Sequence, residues 1–426
     1  MAQINAPKGT YDLLPEDLTH WYYLEGKLRQ IFQEYGYAEV RTPIFEHTEL
    51  FQRGIGETTD IVEKEMFTFP DRAGRSLTLR PEGTASVVRA FLEHNLAASG
   101  GISKLYYYGP MFRCEAPQAG RFRQFVQFGA EVLGSEDPRV DAEIISLAVN
   151  FYKRLGITDL DINLNSIGCP ECRPLYRERL IEHLRPRAEK LCPNCQRRLE
   201  RNPLRLLDCK SPICKSLTED VPLITETLCS SCGSHFQQLR ELLDAVGIQY
   251  HLNPRLVRGF DYYTKTVFEV LAGDLGAQNA LCGGGRYDGL VEECGGSPTP
   301  GIGFAAGMER LLMVLKSRNL LPKETSKPHI YLAPLGEAAQ MKIFPLVIGL
   351  RETGWVVETD FQSRSLKSQM KLANKLGAPI VGVIGEEEMA NEQILIRKMD
   401  TSEQQTIAIS KLQDFLKEEF SNGTFC

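Results

Sequence analysis

From Glu16 to Gly36 the apolar positions Leu18, Trp21, Leu24, Leu28, Ile31 and Tyr35 recur at steps of three and four, which predicts a long amphipathic helix closed by Gly36. The following YAEVRTPIFEHTELF predicts a strand halted by Pro43 and then a short helical piece. In SLTLRPEGTASVVRAFLEHN a strand over 77–79 runs into Arg80-Pro81-Glu82-Gly83-Thr84, with a helix from about Ala85. Pro81 forces the residue before it to be extended, so Glu82 and Thr84 fall at a strand-to-helix corner. There they either suit an ammonium group, or Thr84 caps the helix while Glu82 is solvated.

The run KLYYYGPMFRCEAPQAGRFRQFVQFGAEVLG predicts a long hairpin, with strands over 105–114 and 125–133 and a polar, arginine-bearing loop over 115–123. Alternation puts Gln127, Gly129 and Glu131 on one face and Val126, Phe128 and Val132 on the other. Two polar residues flanking a glycine on an apolar strand look like a pocket floor, where a buried carboxylate needs a partner. Arg113 lies ahead of the loop and Arg121 and Arg123 within or beside it, a spacing that suits phosphate as well as surface ion pairs. A helix over 141–154 and a strand over 159–166 come next.

LVRGFDYYTKTVFEV, residues 256–270, sets Arg258, Asp261, Tyr262 and Tyr263 between strand-like ends at 256–257 and 267–270. An arginine fork, a glycine and two tyrosines are what a pocket for a small anionic or polar ligand needs; an edge strand with a surface turn fits the same letters. Gly283-Gly284-Gly285-Arg286-Tyr287-Asp288 predicts a glycine-rich turn followed by a helix, and is not the G-x-G-x-x-G dinucleotide fingerprint. Residues 300–315 predict a short strand into a helix bearing Arg310, and no Walker A motif occurs anywhere. Past a Pro-bearing linker at 321–328, strands over 330–333, 355–358, 380–384, 393–397 and 406–409 combine with helices over 337–352, 364–376 and 410–419 into a small α/β domain. Lys367, Lys371 and Lys375 form a stripe on one helix face, which is read as solvated.

The 426 residues are enough for two or three domains, with ordinary apolar (42%) and charged (24%) content for a globular chain. No apolar run is long enough to span a bilayer and the N-terminus has no signal-like core, so no membrane association and a cytoplasmic location are expected. The net charge of −6 requires that any nucleic acid be met by a local basic patch. Such a patch exists between Cys169 and Lys215, with 12 Lys/Arg against 6 Asp/Glu. Eight of the 12 cysteines fall between Cys169 and Cys232, as Cys169/Cys172, Cys192/Cys195, Cys209/Cys214 and Cys229/Cys232. Their spacing fits structural zinc and also fits buried, unused thiols. Both readings stay open, and no residue is assigned as a metal ligand.

Taken in order, TLRPEGT, YYYGPMFRCEAPQAGRFRQFVQFGAEVLG, LVRGFDYYTKTVFEV, CGGGRYDGL and GIGFAAGMER resemble the histidyl-tRNA synthetases, a class II aminoacyl-tRNA synthetase family. The resemblance covers nearly the whole chain; RGFDYYT and GGGRYDGL are its specific parts, the FRCE hairpin and the GMER helix its class-wide ones. It implies an α+β fold: a class II antiparallel sheet with flanking helices over 1–325, interrupted by a helical cysteine-rich insertion over 168–250, and an α/β anticodon-binding domain over 328–426. It implies a histidine–tRNA ligase that uses L-histidine, ATP, Mg²⁺ and the histidine tRNA, and that works as a homodimer built around the first helix and the Pro43 segment. Residue by residue, it implies Arg258 and Arg113 on the α-phosphate, with Arg258 catalytic, and Arg121 and Arg310 on the other phosphates. Glu82, Thr84 and Gln127 would hold the α-ammonium. Glu131 and Tyr263 would read the imidazole nitrogens, Tyr262 and Tyr287 would wall the pocket, and Gln118 would meet the tRNA acceptor end. A second function class is a catalytically inactive relative that serves as regulatory subunit of ATP phosphoribosyltransferase; such relatives typically lose the RGFDYYT arginine region and the anticodon domain. A third, a zinc-knuckle RNA-binding protein, accounts for the insertion alone.

Overall fold

The computed structural model describes residues 3–56, 59–99, 101–118, 120–273, 280–322 and 327–420; the linker expected at 321–328 therefore lies partly outside the described residues. The chain divides into two units, Met1–Pro322 and Lys323–Cys426.

The first unit is built on an eight-stranded sheet. Its strands follow in the order Ala38–Glu39, Ser103–Phe112, Gln124–Leu133, Gly301–Gly307, Ala280–Arg286, Thr264–Ala272, Leu160–Ser166 and His251–Leu252. The six inner strands pair antiparallel and the two-residue outer strands pair parallel. The first helix, Pro15–Glu34, buries Trp21, Leu24, Leu28, Ile31 and Phe32, the face its period predicts. Each such side chain contributes about 1.5–3 kcal/mol on burial. It shares one core with helix Pro138–Arg154 and with the sheet face carrying Phe128, Ala130 and Val132. The other face of strand Gln124–Leu133 is left for polar groups.

Three local expectations are corrected. The stretch around Pro43 is two short strands in different sheets: Ala38–Glu39 joins the large sheet, and Phe45–His47 pairs with Ser76–Leu79 in a small three-stranded one. Residues Leu256–Tyr263 form an irregular loop, and regular strand begins only at Thr264, so Arg258 is carried by a loop and not by a strand end. Gly283–Gly285 lie inside strand Ala280–Arg286 and are not a turn. The absent side chains make room: a Cβ on Gly283 would sit 2.3 Å from Arg258 Nη2, and one on Gly284 2.2 Å from the Gly303 carbonyl oxygen.

Between strands Leu160–Ser166 and Thr264–Ala272 runs a helical stretch that holds helices Cys172–Leu184, Pro193–Arg201, Pro212–Leu217 and Ser230–Ala245. The last of these returns to the main core through Phe236, Leu239 and Leu243.

The second unit is a five-stranded sheet ordered Val357–Thr359, Ile330–Pro334, Ile380–Ile384, Gln393–Lys398 and Gln404–Ala408, parallel over the first three strands and antiparallel over the rest. Glu337–Glu352, Leu366–Leu376 and Leu412–Phe420 are its longer helices, and a short helix, Glu386–Ala390, escaped the sequence reading. Lys367, Lys371 and Lys375 are exposed, as read.

Candidate active site

Above the polar face of the large sheet lies a cleft of about 1080 Å³. Glu82, Thr84, Arg113, Arg121, Gln127, Glu131, Arg258, Tyr262, Tyr263, Tyr287 and Arg310 all line it, although they come from stretches separated by more than two hundred residues. Gln118 is not among the lining residues; its backbone pairs with Arg121 in the hairpin loop, Gln118 N–H to Arg121 O at 3.2 Å and Arg121 N–H to Gln118 O at 2.8 Å.

The inner end of the cleft is a carboxylate held by hydroxyls. Glu131, 1% exposed, accepts the Tyr287 hydroxyl at 2.5 Å on Oε2 and the Thr84 hydroxyl at 2.7 Å on Oε1. Burial pushes its pKa up to about 8 despite these bonds. Alternation along Gln124–Leu133 aims Glu131 and Gln127 the same way, while Phe128 and Val132 point into the core. The space is made by Gly303, where a Cβ would lie 1.7 Å from Glu131 Oε2.

The strand-to-helix corner differs from the reading in which Thr84 caps the helix and Glu82 is solvated. Helix Thr84–Glu93 is capped by the side chain two residues before it: Glu82 accepts the Thr84 N–H at 2.7 Å and the Ala85 N–H at 2.8 Å. Glu82 is buried, not solvated, and Thr84 is freed to donate to Glu131. Burial also raises the Glu82 pKa. Gln127 Oε1 accepts the Gly83 N–H at 3.2 Å and the Tyr107 hydroxyl at 3.3 Å, so its amide NH₂ has no part in these bonds. Tyr262 and Tyr263 pack with ring centroids 4.5 Å apart, and Tyr262 meets Tyr287 edge-on at 5.7 Å.

The arginines form the other region. Arg113 donates from Nε to the Pro81 carbonyl at 2.9 Å and lies over the Phe125 ring, 5.3 Å from its centroid. Arg258 reaches Glu269 through Nη1 at 3.3 Å, and its buried Nε has no hydrogen-bond partner among the described residues. Arg121 pairs with Glu115 at 3.0 Å, and Arg310 donates to the Ala280 carbonyl at 3.0 Å. Each guanidinium keeps donors beyond those its protein partners use, as a polyanion clamp requires.

Sequence reasoning missed several supporting groups. Arg286, beside Tyr287, is fully buried and doubly bonded to Asp141, with Nε–Oδ2 at 2.9 Å and Nη2–Oδ2 at 2.6 Å; His235 Nε2 meets the same carboxylate at 3.0 Å. An aspartate in the first turn of a strongly apolar helix was the available signal. Phe125, Glu115 and Glu269 also line the cleft, and from the cysteine-rich insertion Cys192, Arg198, Arg205, Cys209, Lys210 and Lys215 line its mouth.

A family model described as "Histidyl-tRNA synthetase" matches residues 9–171 and 217–311, and one described as "Anticodon binding domain" matches residues 329–419. The chain is 52% identical over 411 residues to the histidine–tRNA ligase of Desulforamulus reducens (96% of this chain, 98% of the relative). It is 54% identical over 412 residues to that of Desulfitobacterium hafniense (97% of this chain, 96% of the relative). Among solved structures it resembles apo histidyl-tRNA synthetase of S. aureus with a TM-score of 0.83 at 38% identity, covering 97% of this chain and 100% of the other.

Proposed function

The chain belongs to the histidyl-tRNA synthetase family, and from that premise we propose that its cleft activates histidine with ATP and then passes the histidyl group to the 3′ end of the histidine tRNA. The observation that carries this is the division of one cleft into a carboxylate–tyrosine end around Glu131 and an arginine end around Arg113 and Arg258.

In the first step an oxygen of the histidine carboxylate forms a bond to the α-phosphorus while the bond from that phosphorus to pyrophosphate breaks. Such a displacement calls for alignment and charge neutralisation more than covalent help. Arg113 and Arg258 grip the α-phosphate, and Arg258 stabilises the charge that builds as pyrophosphate leaves. Arg121 and Arg310 hold the outer phosphates. Mg²⁺ bound with ATP would supply further neutralisation of the phosphate charge. Glu65, Glu115 and Glu269 line this region, the last two each engaged by an arginine, and are the carboxylates that would face the ion.

Glu82, Thr84 and Gln127 receive the α-ammonium. Glu131 accepts one imidazole N–H and Tyr263 serves the other nitrogen, with Tyr262 and Tyr287 as walls. A side chain lacking both nitrogens would leave these buried groups unpaired, and that rejects apolar analogues strongly. In the second step a hydroxyl of the terminal tRNA adenosine attacks the histidyl carbonyl and AMP leaves. Gln118 on the hairpin loop contacts the acceptor end, and the basic mouth formed by Arg198, Lys210 and Lys215 suits the tRNA backbone.

The protein works as a homodimer in the cytoplasm. Ile44, Phe45 and Phe69, exposed on and beside the small sheet, suit a second copy, and no helix among the described residues is long and apolar enough to cross a membrane. The regulatory-subunit reading is disfavoured by the arginines in the cleft and by the matched anticodon-binding domain. A charging assay tests the proposal: the chain should aminoacylate histidine tRNA with histidine and no other amino acid. Tight histidine binding without charging would favour the regulatory reading.

A further inference from the structure

The cysteines of the insertion take no part in this chemistry, yet the fold sorts them into two tetrads. Cys169 and Cys172 meet Cys229 and Cys232, and Cys192 and Cys195 meet Cys209 and Cys214; within each set the four sulfurs all lie within 4.8 Å of one another. All eight are free thiols. Cys169 Sγ is 3.6 Å from Cys172 Sγ and 3.9 Å from Cys229 Sγ, and Cys192 Sγ is 3.9 Å from Cys209 Sγ. Four thiolates around one zinc, at about 2.3 Å each in a tetrahedron, stand roughly 3.8 Å apart. The tetrads also share a local design. In each a backbone N–H donates to a sulfur across the pairs: Cys229 N–H to Cys172 Sγ at 3.0 Å, and Cys192 N–H to Cys214 Sγ at 3.3 Å.

We propose that the chain carries two structural zinc ions, one held by Cys169, Cys172, Cys229 and Cys232 and one by Cys192, Cys195, Cys209 and Cys214. Each site is closed by four protein ligands, which suits a structural ion. The two sites do different work. The first joins the chain leaving strand Leu160–Ser166 to the start of helix Ser230–Ala245, and so closes the insertion at its root. The second stands beside the cleft, which both Cys192 and Cys209 line. The segment it would anchor supports the arginine loop: Arg205 Nη1 donates to the Arg258 carbonyl at 3.0 Å, and Asn202 Nδ2 donates to Asp261 Oδ1 at 2.8 Å. The outer ion therefore positions Arg258 from a distance. Its four ligands all fall in the 172–216 gap of the family-model match, so this device lies outside what that model describes.

The test is elemental analysis of the full-length protein purified without chelator, with thiol titration of the same sample. Two zinc ions per chain are expected, with eight thiols protected until the metal is released. The double variants Cys169→Ser/Cys172→Ser and Cys192→Ser/Cys195→Ser should each retain one. Iron in place of zinc, or a metal-free wild type with its thiols reactive, overturns the proposal. A variant that keeps both ions overturns it for its tetrad. For the positioning role, the outer-site variant, compared at equal folded content by circular dichroism, should lose about 10–100-fold in the kcat of pyrophosphate exchange with little change in histidine KM. An unchanged kcat contradicts that role. Metal content is read without reference to activity, so it stands or falls separately from the enzymatic reading.

Discussion

Tyr287 donates its hydroxyl to Glu131 Oε2 at 2.5 Å, across a distance of more than 150 residues in the chain. With Thr84 on the other oxygen, a carboxylate raised to about 8 is kept at the bottom of a cleft with no cation beside it among these partners. That arrangement costs stability when Glu131 is charged and is relieved by a donor such as an imidazole N–H.

The first prediction concerns pH. Because the folded-state pKa of Glu131 lies above its ordinary value of 4.5, its contribution to stability is fully present below pH 4.5 and is lost as pH rises through about 8. Thermal melts of the unliganded protein should therefore decline across that window beyond what Glu131→Gln shows, and histidine should recover more stability at pH 8 than at pH 6. Equal pH slopes for the two proteins would contradict this. The same substitution should raise histidine KM by roughly 10–200-fold, the loss of one hydrogen bond to a charged group.

Gly303→Ala is the second. The added methyl would meet Glu131 Oε2 at 1.7 Å and the Ala130 carbonyl oxygen at 2.5 Å. Over-packing of this kind costs about 1–3 kcal/mol of stability, visible as a lowered midpoint in urea. Histidine affinity should fall with it, whereas Gly26→Ala, inside the first helix with no atom within 4 Å of the new methyl, should leave affinity unchanged and raise stability by about 0.5–1 kcal/mol.

Third, Arg286→Met should be among the most destabilising single changes in the first unit. It removes the arginine partner of Asp141, which is itself fully buried and would keep only His235. Stranding one charge of a buried pair costs about 3–5 kcal/mol, measurable by chemical denaturation. Asp141→Asn combined with Arg286→Met should recover part of that loss, since the stranded charge is then gone.

The helices and inner strands were legible because their apolar periods are long and face one core. Most cleft residues are legible as types at strand ends and corners, their roles only through the family resemblance, and eleven of the twelve residues it implies line the cleft. What escaped has physical reasons. A triple glycine looks like a turn unless one knows that Arg258 and Phe304 fill the space its side chains would take. The capping role of Glu82 escaped because a cap from within the Pro81 corner is set by geometry and not by spacing. The tetrads join cysteines 60 positions apart, such as Cys169 and Cys229, and no local pattern says which pairs meet. Arg286 was passed over because a lone arginine is ordinarily a surface residue.

The most direct measurement of the central claim is histidine-dependent exchange of pyrophosphate into ATP, run on the wild type and on Arg258→Ala. The account predicts exchange with histidine only, and a fall of at least about 10²–10³-fold in the variant, the scale for losing one preorganised charge-stabilising group. Exchange that Arg258→Ala leaves intact would remove Arg258 from the chemistry, and histidine binding with no exchange in the wild type would contradict the account as a whole.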